Sequence, residues 1–178
     1  FRFCLMKILI SICTGVCLLI HLGCNAQQSD LDSLNEVKRQ YAPGDSLYHQ
    51  ASLKYAEKYR QISLDTAILL YEKLAQICQQ HHDLKTEINC YTGIGISHAM
   101  KGNYAETIIQ FNKGLAMATE ANYIDHMAGI YNNLGIVYKR ISNYPLSLSF
   151  YSKSMALYDS TNNLDGLASS YQNVAIVY

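Results

Sequence analysis

The chain has no charge to spare in either direction: fourteen basic residues face fourteen acidic ones, for a formal net charge of +0. Without a basic surplus there is no electrostatic footprint for a phosphate backbone, so nucleic acid is not expected as a partner. Proline is nearly missing, with two in 178 residues, which leaves long stretches free of the commonest helix breaker. No glycine-rich phosphate loop, metalloprotease motif or nucleophile elbow occurs. Carboxylate pairs exist, but none is set apart in an apolar run. The expectation is therefore a protein that is not an enzyme, with no catalytic residues, no metal and no cofactor. Usable cysteine is also scarce. Of six, Cys4, Cys13, Cys17 and Cys24 fall before or within a leader described below. Cys78 and Cys90 could pair in an oxidising compartment. Their distances from the turn between their helices differ by about one helical turn, so they are read as two buried small apolar residues. His81-His82 with Asp83 is the one concentrated group of metal-ligand types. Adjacent positions at a helix end do not share a face and no partner motif accompanies them, so a solvated loop is expected.

What the chain has in quantity is tyrosine, fifteen in all, placed at regular intervals. Such amphipathic aromatics are often buried with the hydroxyl left in water. Tyr131, Leu134, Gly135 and Tyr138 recur at i, i+3, i+4 and i+7, one face of a helix. A break follows at Ile141–Tyr144, where Ser142 and Asn143 are both good N-caps and Pro145 suits a first turn. Leu148, Tyr151, Met155 and Tyr158 then form a second stripe, so the unit is a helical hairpin. Forty residues earlier the pattern returns as Tyr91, Ile94, Gly95 and His98, with Phe111 under Tyr151 and Lys113 under Lys153. Forty residues later it returns as Tyr171, Val174, Ala175 and Tyr178. His98 shares the place of Tyr138 and is read as a packing residue. A fixed period of this size predicts stacked hairpins. Helices are expected over about Leu31–Tyr41, Leu47–Gln61, Leu64–Gln80, Leu84–Met100, Tyr104–Glu120, Ile124–Arg140, Tyr144–Asp159 and Leu164–Tyr178.

A large residue, then Leu-Gly and a tyrosine, then a small residue, an aromatic and a second small residue resembles the tetratricopeptide repeat. Tyr131, Leu134, Gly135, Tyr138, Ser147, Tyr151 and Ser154 carry the resemblance, which covers Ser46 to Tyr178. The period here is 40 rather than about 34, as in the long-helix subclass, and the family's closing proline is missing. The resemblance implies an all-α, right-handed solenoid of stacked antiparallel hairpins, divided as 46–83, 84–123, 124–163 and an incomplete 164–178. Tyr91, Gly95, Tyr131, Leu134, Gly135, Tyr138, Tyr151 and Tyr171 would be its structural residues. The glycines let the second helix approach, and the tyrosines fill space between hairpins. It also implies a concave groove that binds a protein or peptide, lined by the first helix of each hairpin: Asn89, Thr92, Ile96, Gly129, Asn132, Ile136, Lys139, Ser169, Gln172 and Ile176. Amides there can both donate to and accept from an extended peptide. The competing reading makes Ile96, Ile136 and Ile176 ordinary core between repeats.

The amino-terminal part reads differently. Lys7 followed by the apolar run Ile8–Leu22 and the small-x-small triplet Cys24-Asn25-Ala26 predicts a signal peptide over 1–26, with 1–5 as upstream residues and cleavage before Gln27. Residues 27–45 read as a polar linker or an amino-terminal helix. The chain opens without methionine and closes within a hairpin, which suggests part of a longer product. The expected protein is exported, acting in the periplasm or on the outer face of the cytoplasmic membrane. A membrane contact would come only through a downstream helix or lipidation of Cys24. The layout resembles the sensory or scaffolding amino-terminal part of bacterial signalling proteins. The alternatives are a stand-alone periplasmic or lipid-anchored scaffold, and the accessory region of an enzyme whose catalytic domain follows residue 178.

Overall fold

The computed structural model describes residues 31–177. The leader at 1–26, its cleavage position, Cys24 and Tyr178 lie outside the described residues. Within them the chain is all-α, with no strand. Helix α1 covers 31–40. It is followed by α2 (Ser46–Tyr59), α3 (Leu64–Gln80), α4 (Leu84–Met100), α5 (Tyr104–Glu120), α6 (Ile124–Arg140), α7 (Tyr144–Ser160) and α8 (Leu164–Ala175). No helix among the described residues is long and apolar enough to cross a membrane.

The turns set the period. Helices α3 to α7 each have 17 residues, and the middle residue of every following turn is left-handed. These residues are His82 (φ 58°), Gly102 (80°), Asn122 (55°), Ser142 (61°) and Asn162 (54°). The next amide then reaches back into the finished helix. Asp83 N–H donates to the Cys78 carbonyl at 3.0 Å, Asn103 to His98 at 2.9 Å, Tyr123 to Ala118 at 2.8 Å, Asn143 to Tyr138 at 2.8 Å and Asn163 to Tyr158 at 2.9 Å. This is the Schellman closure. The donating residue is also the N-cap of the next helix. Asp83, Asn143 and Asn163 each accept the amide of the residue three further on. A single short turn thus ends one helix and starts the next. Helix starts consequently fall at a constant spacing, at Leu64, Leu84, Tyr104, Ile124, Tyr144 and Leu164. Ser142, expected as a cap, is instead the left-handed residue, and Asn143 alone caps.

Successive helices run antiparallel. Ser147 Oγ donates to the Gly135 carbonyl and Ser154 Oγ to the Ala128 carbonyl, each at 2.8 Å, so rising numbers on α7 meet falling numbers on α6. The close approach needs glycine. A Cβ on Gly135 would sit 2.5 Å from the Tyr151 ring, and one on Gly95 2.5 Å from the Phe111 ring. In the first hairpin the same place holds Ala56, which is 0% exposed. The small–aromatic–small positions of the second helices are buried in every hairpin: Ala67, Tyr71 and Leu74; Thr107, Phe111 and Gly114; Ser147, Tyr151 and Ser154.

Two apolar clusters form the core. One gathers Ala56, Tyr71, Leu74, Cys78, Cys90 and Ile94 around α3 and α4. The other gathers Ile88, Phe111, Ala118, Ile130, Leu134 and Val137 around α5 and α6. Tyr91 and Tyr131 stay half-buried between helices, each under a lysine of the following helix. Lys113 lies 4.1 Å from the Tyr91 ring centre and Lys153 5.5 Å from that of Tyr131, a cation–π contact that recurs one period on. Tyr71 departs from the expectation of a wet hydroxyl: its Oη is buried and has no hydrogen-bond partner among the described residues. Besides its chain neighbours, α4 touches α2, α6 touches α4 and α8 touches α6. The first helices of the hairpins therefore stand in one row.

Candidate functional site

That row carries two adjoining hollows. One, of about 290 Å³, lies between α4 and α6 and is lined by Asn89, Thr92, Asp125, His126, Gly129, Ile130 and Asn133. The other, of about 150 Å³, is lined by Ile96, Ala99, Met100, Phe111, Asn133, Ile136, Val137 and Arg140. Asn133 belongs to both, so they form one path along the row. Of the residues singled out in the sequence, Asn89, Thr92 and Gly129 meet in the first hollow, and Ile96 and Ile136 in the second. Ile96 also packs against the second apolar cluster, so it serves both surface and core. Asn132 accepts a hydrogen bond from Asn173 Nδ2 at 3.0 Å, which joins α6 to α8. Lys139 is half-buried farther along α6, Ser169 and Gln172 are exposed on α8, and Ile176, just past the end of α8, is 62% exposed. These last residues lie outside both hollows.

The polar groups of the first hollow are held in defined states. Asp125 Oδ1 accepts from Thr161 Oγ1 at 3.0 Å and Asn163 Nδ2 at 3.1 Å, so the α7–α8 turn pins it. His126 is half-buried, and burial together with the Lys85 ammonium lowers its pKa below the usual range, keeping the imidazole neutral at pH 7 as donor and acceptor. Asp125, His126, Asn133 and Arg140 were missed in the sequence. Asn133 had a readable signal: Gly93 stands one period before it and Asn173 one period after, and Gly93 is small because the Tyr71 ring fills the space where a Cβ would go.

A second polar cluster lies inside the first apolar core. His49 on α2 is 2% exposed. Its Nε2 donates to the Pro43 carbonyl at 2.7 Å, and its Nδ1 lies 2.7 Å from Asp83 Oδ2. Burial alone would raise the Asp83 carboxyl, but hydrogen bonds from Thr86 and His49 outweigh it and hold the pKa below its ordinary value. The loop expectation for residues 81–83 needs correcting here. His81 and His82 are exposed, but Asp83 ties the turn to α2. Cys78 and Cys90 are free and buried. They are the two buried small residues expected, although the offset does not keep their side chains apart. A hydrogen bond that the Cys90 thiol donates to Cys78, together with burial, pushes the Cys90 thiol far above the usual range.

No family model and no curated protein matches the chain. Among solved structures it is similar to BtubC (BKLC) from P. vanneervenii, at 16% identity and a TM-score of 0.67. The match covers 86% of this chain and 63% of that one. A likeness at this identity shows the all-α fold and its helix packing, and nothing about activity.

Proposed function

We propose that the chain is a tetratricopeptide-type, right-handed solenoid and works as a non-catalytic protein–protein interaction module. On this reading it is the sensory or scaffolding amino-terminal part of a longer, exported bacterial signalling protein. The export part rests on Lys7, the apolar run Ile8–Leu22 and the Cys24-Asn25-Ala26 triplet. The family assignment draws support from the close contacts of Gly95 with Phe111 and Gly135 with Tyr151, the approach that the Leu-Gly spacing requires.

The observation that carries the binding role is the path between α4 and α6. There Asn89, Thr92, Asn133 and neutral His126 line a surface floored by Gly129, Ile130 and Ile136. Apolar floor with amide walls suits an extended peptide, whose backbone needs both donors and acceptors and whose side chains need apolar recesses. Selection of short random peptides on the purified chain tests it. Enriched peptides should lose binding to the Gly129→Arg and Asn133→Ala variants and keep it for Ala116→Arg, which lies on the exposed side of α5. Peptides indifferent to the first two substitutions, or no enrichment at all, would contradict the proposal.

A further inference from the structure

We infer that His49, Cys78 and Asp83 form a buried site for one zinc-class dication, which clasps α2 to the α3–α4 turn independently of the peptide path. The donor atoms of these three residues all lie within 4.8 Å of one another. Tetrahedral zinc with about 2.3 Å to sulfur and about 2.0–2.1 Å to nitrogen or oxygen needs donors roughly 3.3–3.8 Å apart, within a side-chain adjustment of that arrangement. The orientation of each donor is already set. The His49 Nε2–H is directed to the Pro43 carbonyl at 2.7 Å, the backbone contact that fixes the tautomer of a metal-bound histidine and leaves Nδ1 with its lone pair. Asp83 spends Oδ1 on the Thr86 amide at 3.2 Å and turns Oδ2 toward Nδ1 at 2.7 Å. Two lone pairs cannot face each other at that distance without a proton or a cation between them. A third donor, the fully buried Cys78 sulfur, stands beside the same gap.

The donor set selects the ion. Thiolate with imidazole favours a borderline-soft transition metal over calcium or magnesium, which take oxygen ligands. Binding releases one proton from the Cys78 thiol and the proton held between His49 and Asp83. Neutral imidazole, one thiolate and one carboxylate then carry two negative charges, which the dication cancels in a site where net charge would be costly. Asp83 is the approach from solvent, with 27% of its side chain exposed. The fourth position is left for water.

The chain itself supplies substitutions that keep the fold. Ala118 occupies the place of Cys78 one period later and is 0% exposed, and Asn143 and Asn163 cap their helices as Asp83 does. The whole chain, purified without chelator under a thiol reductant, should carry one zinc by elemental analysis. It should bind Co²⁺ with a thiolate-to-metal charge-transfer band in the near ultraviolet. Cys78→Ala should lose the band, and Asp83→Asn should weaken Co²⁺ binding by about tenfold or more, with helical circular dichroism unchanged in both. No stoichiometric uptake by the natural chain, or a band that survives in Cys78→Ala, would overturn the assignment.

Discussion

Helices α6 and α8 occupy the same place in successive repeats, and their fates differ. On α6, Ala128, Ile130, Leu134, Gly135 and Val137 are buried. On α8 only Ser170 is; Tyr171 is 60% exposed and Ile176 62%, and the helix ends at Ala175 instead of Tyr178. The stripe is comparable in both, so the stripe alone does not determine burial. Helix α6 is covered by α5 on one side and α7 on the other, while α8 has α7 but no later helix among the described residues. Tyr171, expected to fill space between hairpins, has no later helix among the described residues to pack against. A repeat of this kind draws its stability from its neighbours.

The sharpest way to break the comparison is hydrogen exchange. Amides of Gly129–Arg140 should exchange only through near-global opening, on the order of 5–15 kcal/mol for a domain, while those of Gly166–Ala175 should open locally at a small fraction of that. Equal protection in a monomeric sample would mean that burial by neighbours does not govern stability here. The next contrast is Leu134→Ala against Val174→Ala. Leu134 is 1% exposed and its truncation should cost about 2–5 kcal/mol. Val174 is half-buried and should lose well under half as much. Thermal melting followed by circular dichroism reads both.

The third contrast adds bulk instead of removing it. Gly135→Leu drives a side chain into the Tyr151 ring, which lies 2.5 Å from the position of a Cβ, and overpacking of this kind costs about 1–3 kcal/mol. Ala175→Leu, at the same place on α8, meets solvent and should change the melting temperature little. Gly129→Leu sharpens the point within α6, because its Cβ would touch only Tyr158 Oη at 3.4 Å. Similar shifts for Gly135→Leu and Gly129→Leu would mean that the helix faces are wrongly assigned.

Much of the helical layout was readable because it rests on local, repeated signals. The bounds of α4, α5 and α6 follow from turn residues such as Gly102-Asn103 and from the Leu-Gly spacing. Helix α2 runs Ser46–Tyr59 where Leu47–Gln61 was expected, since its copy of the motif is degenerate and gives no fixed register. The His49–Asp83 pair was not readable. Its partners are far apart in the chain at a spacing unrelated to the period; Asp83 holds a repeated cap position, but His49 belongs to no repeated pattern. Asp125 and His126 were missed for a related reason. They sit in the first turn of α6, before the motif begins, and enter the hollow only because α4 and α6 stand side by side. Local periodicity thus reveals which helix faces are apolar, while contacts between unlike positions appear only once the helices are stacked.

The smallest expected effect lies at a buried serine cluster that joins α6, α7 and α8. Ser154 Oγ donates to the Ala128 carbonyl at 2.8 Å and lies 3.1 Å from Ser170 Oγ, which itself donates to the Gly166 carbonyl at 3.0 Å. In a buried setting, losing one such bond costs about 0.5–1.5 kcal/mol. Ser154→Ala should fall at the low end of that range for two reasons. The Ala128 carbonyl keeps its place within the α6 helical ladder, and Ser170 keeps its bond to Gly166, so no polar group is left wholly unpaired. The repeat also accepts an empty or apolar side chain here, since Gly114 and Leu74 stand at the same place one and two periods earlier, both buried. The effect should fall unevenly: α6 amides should keep their protection, and those of Gly166–Ser170 should exchange faster, because Ser170 is the sole buried side chain holding α8. A loss above about 3 kcal/mol, beyond what one neutral hydrogen bond contributes, would show that the hydroxyl chain, and not the packing of α7, holds the last hairpin in register.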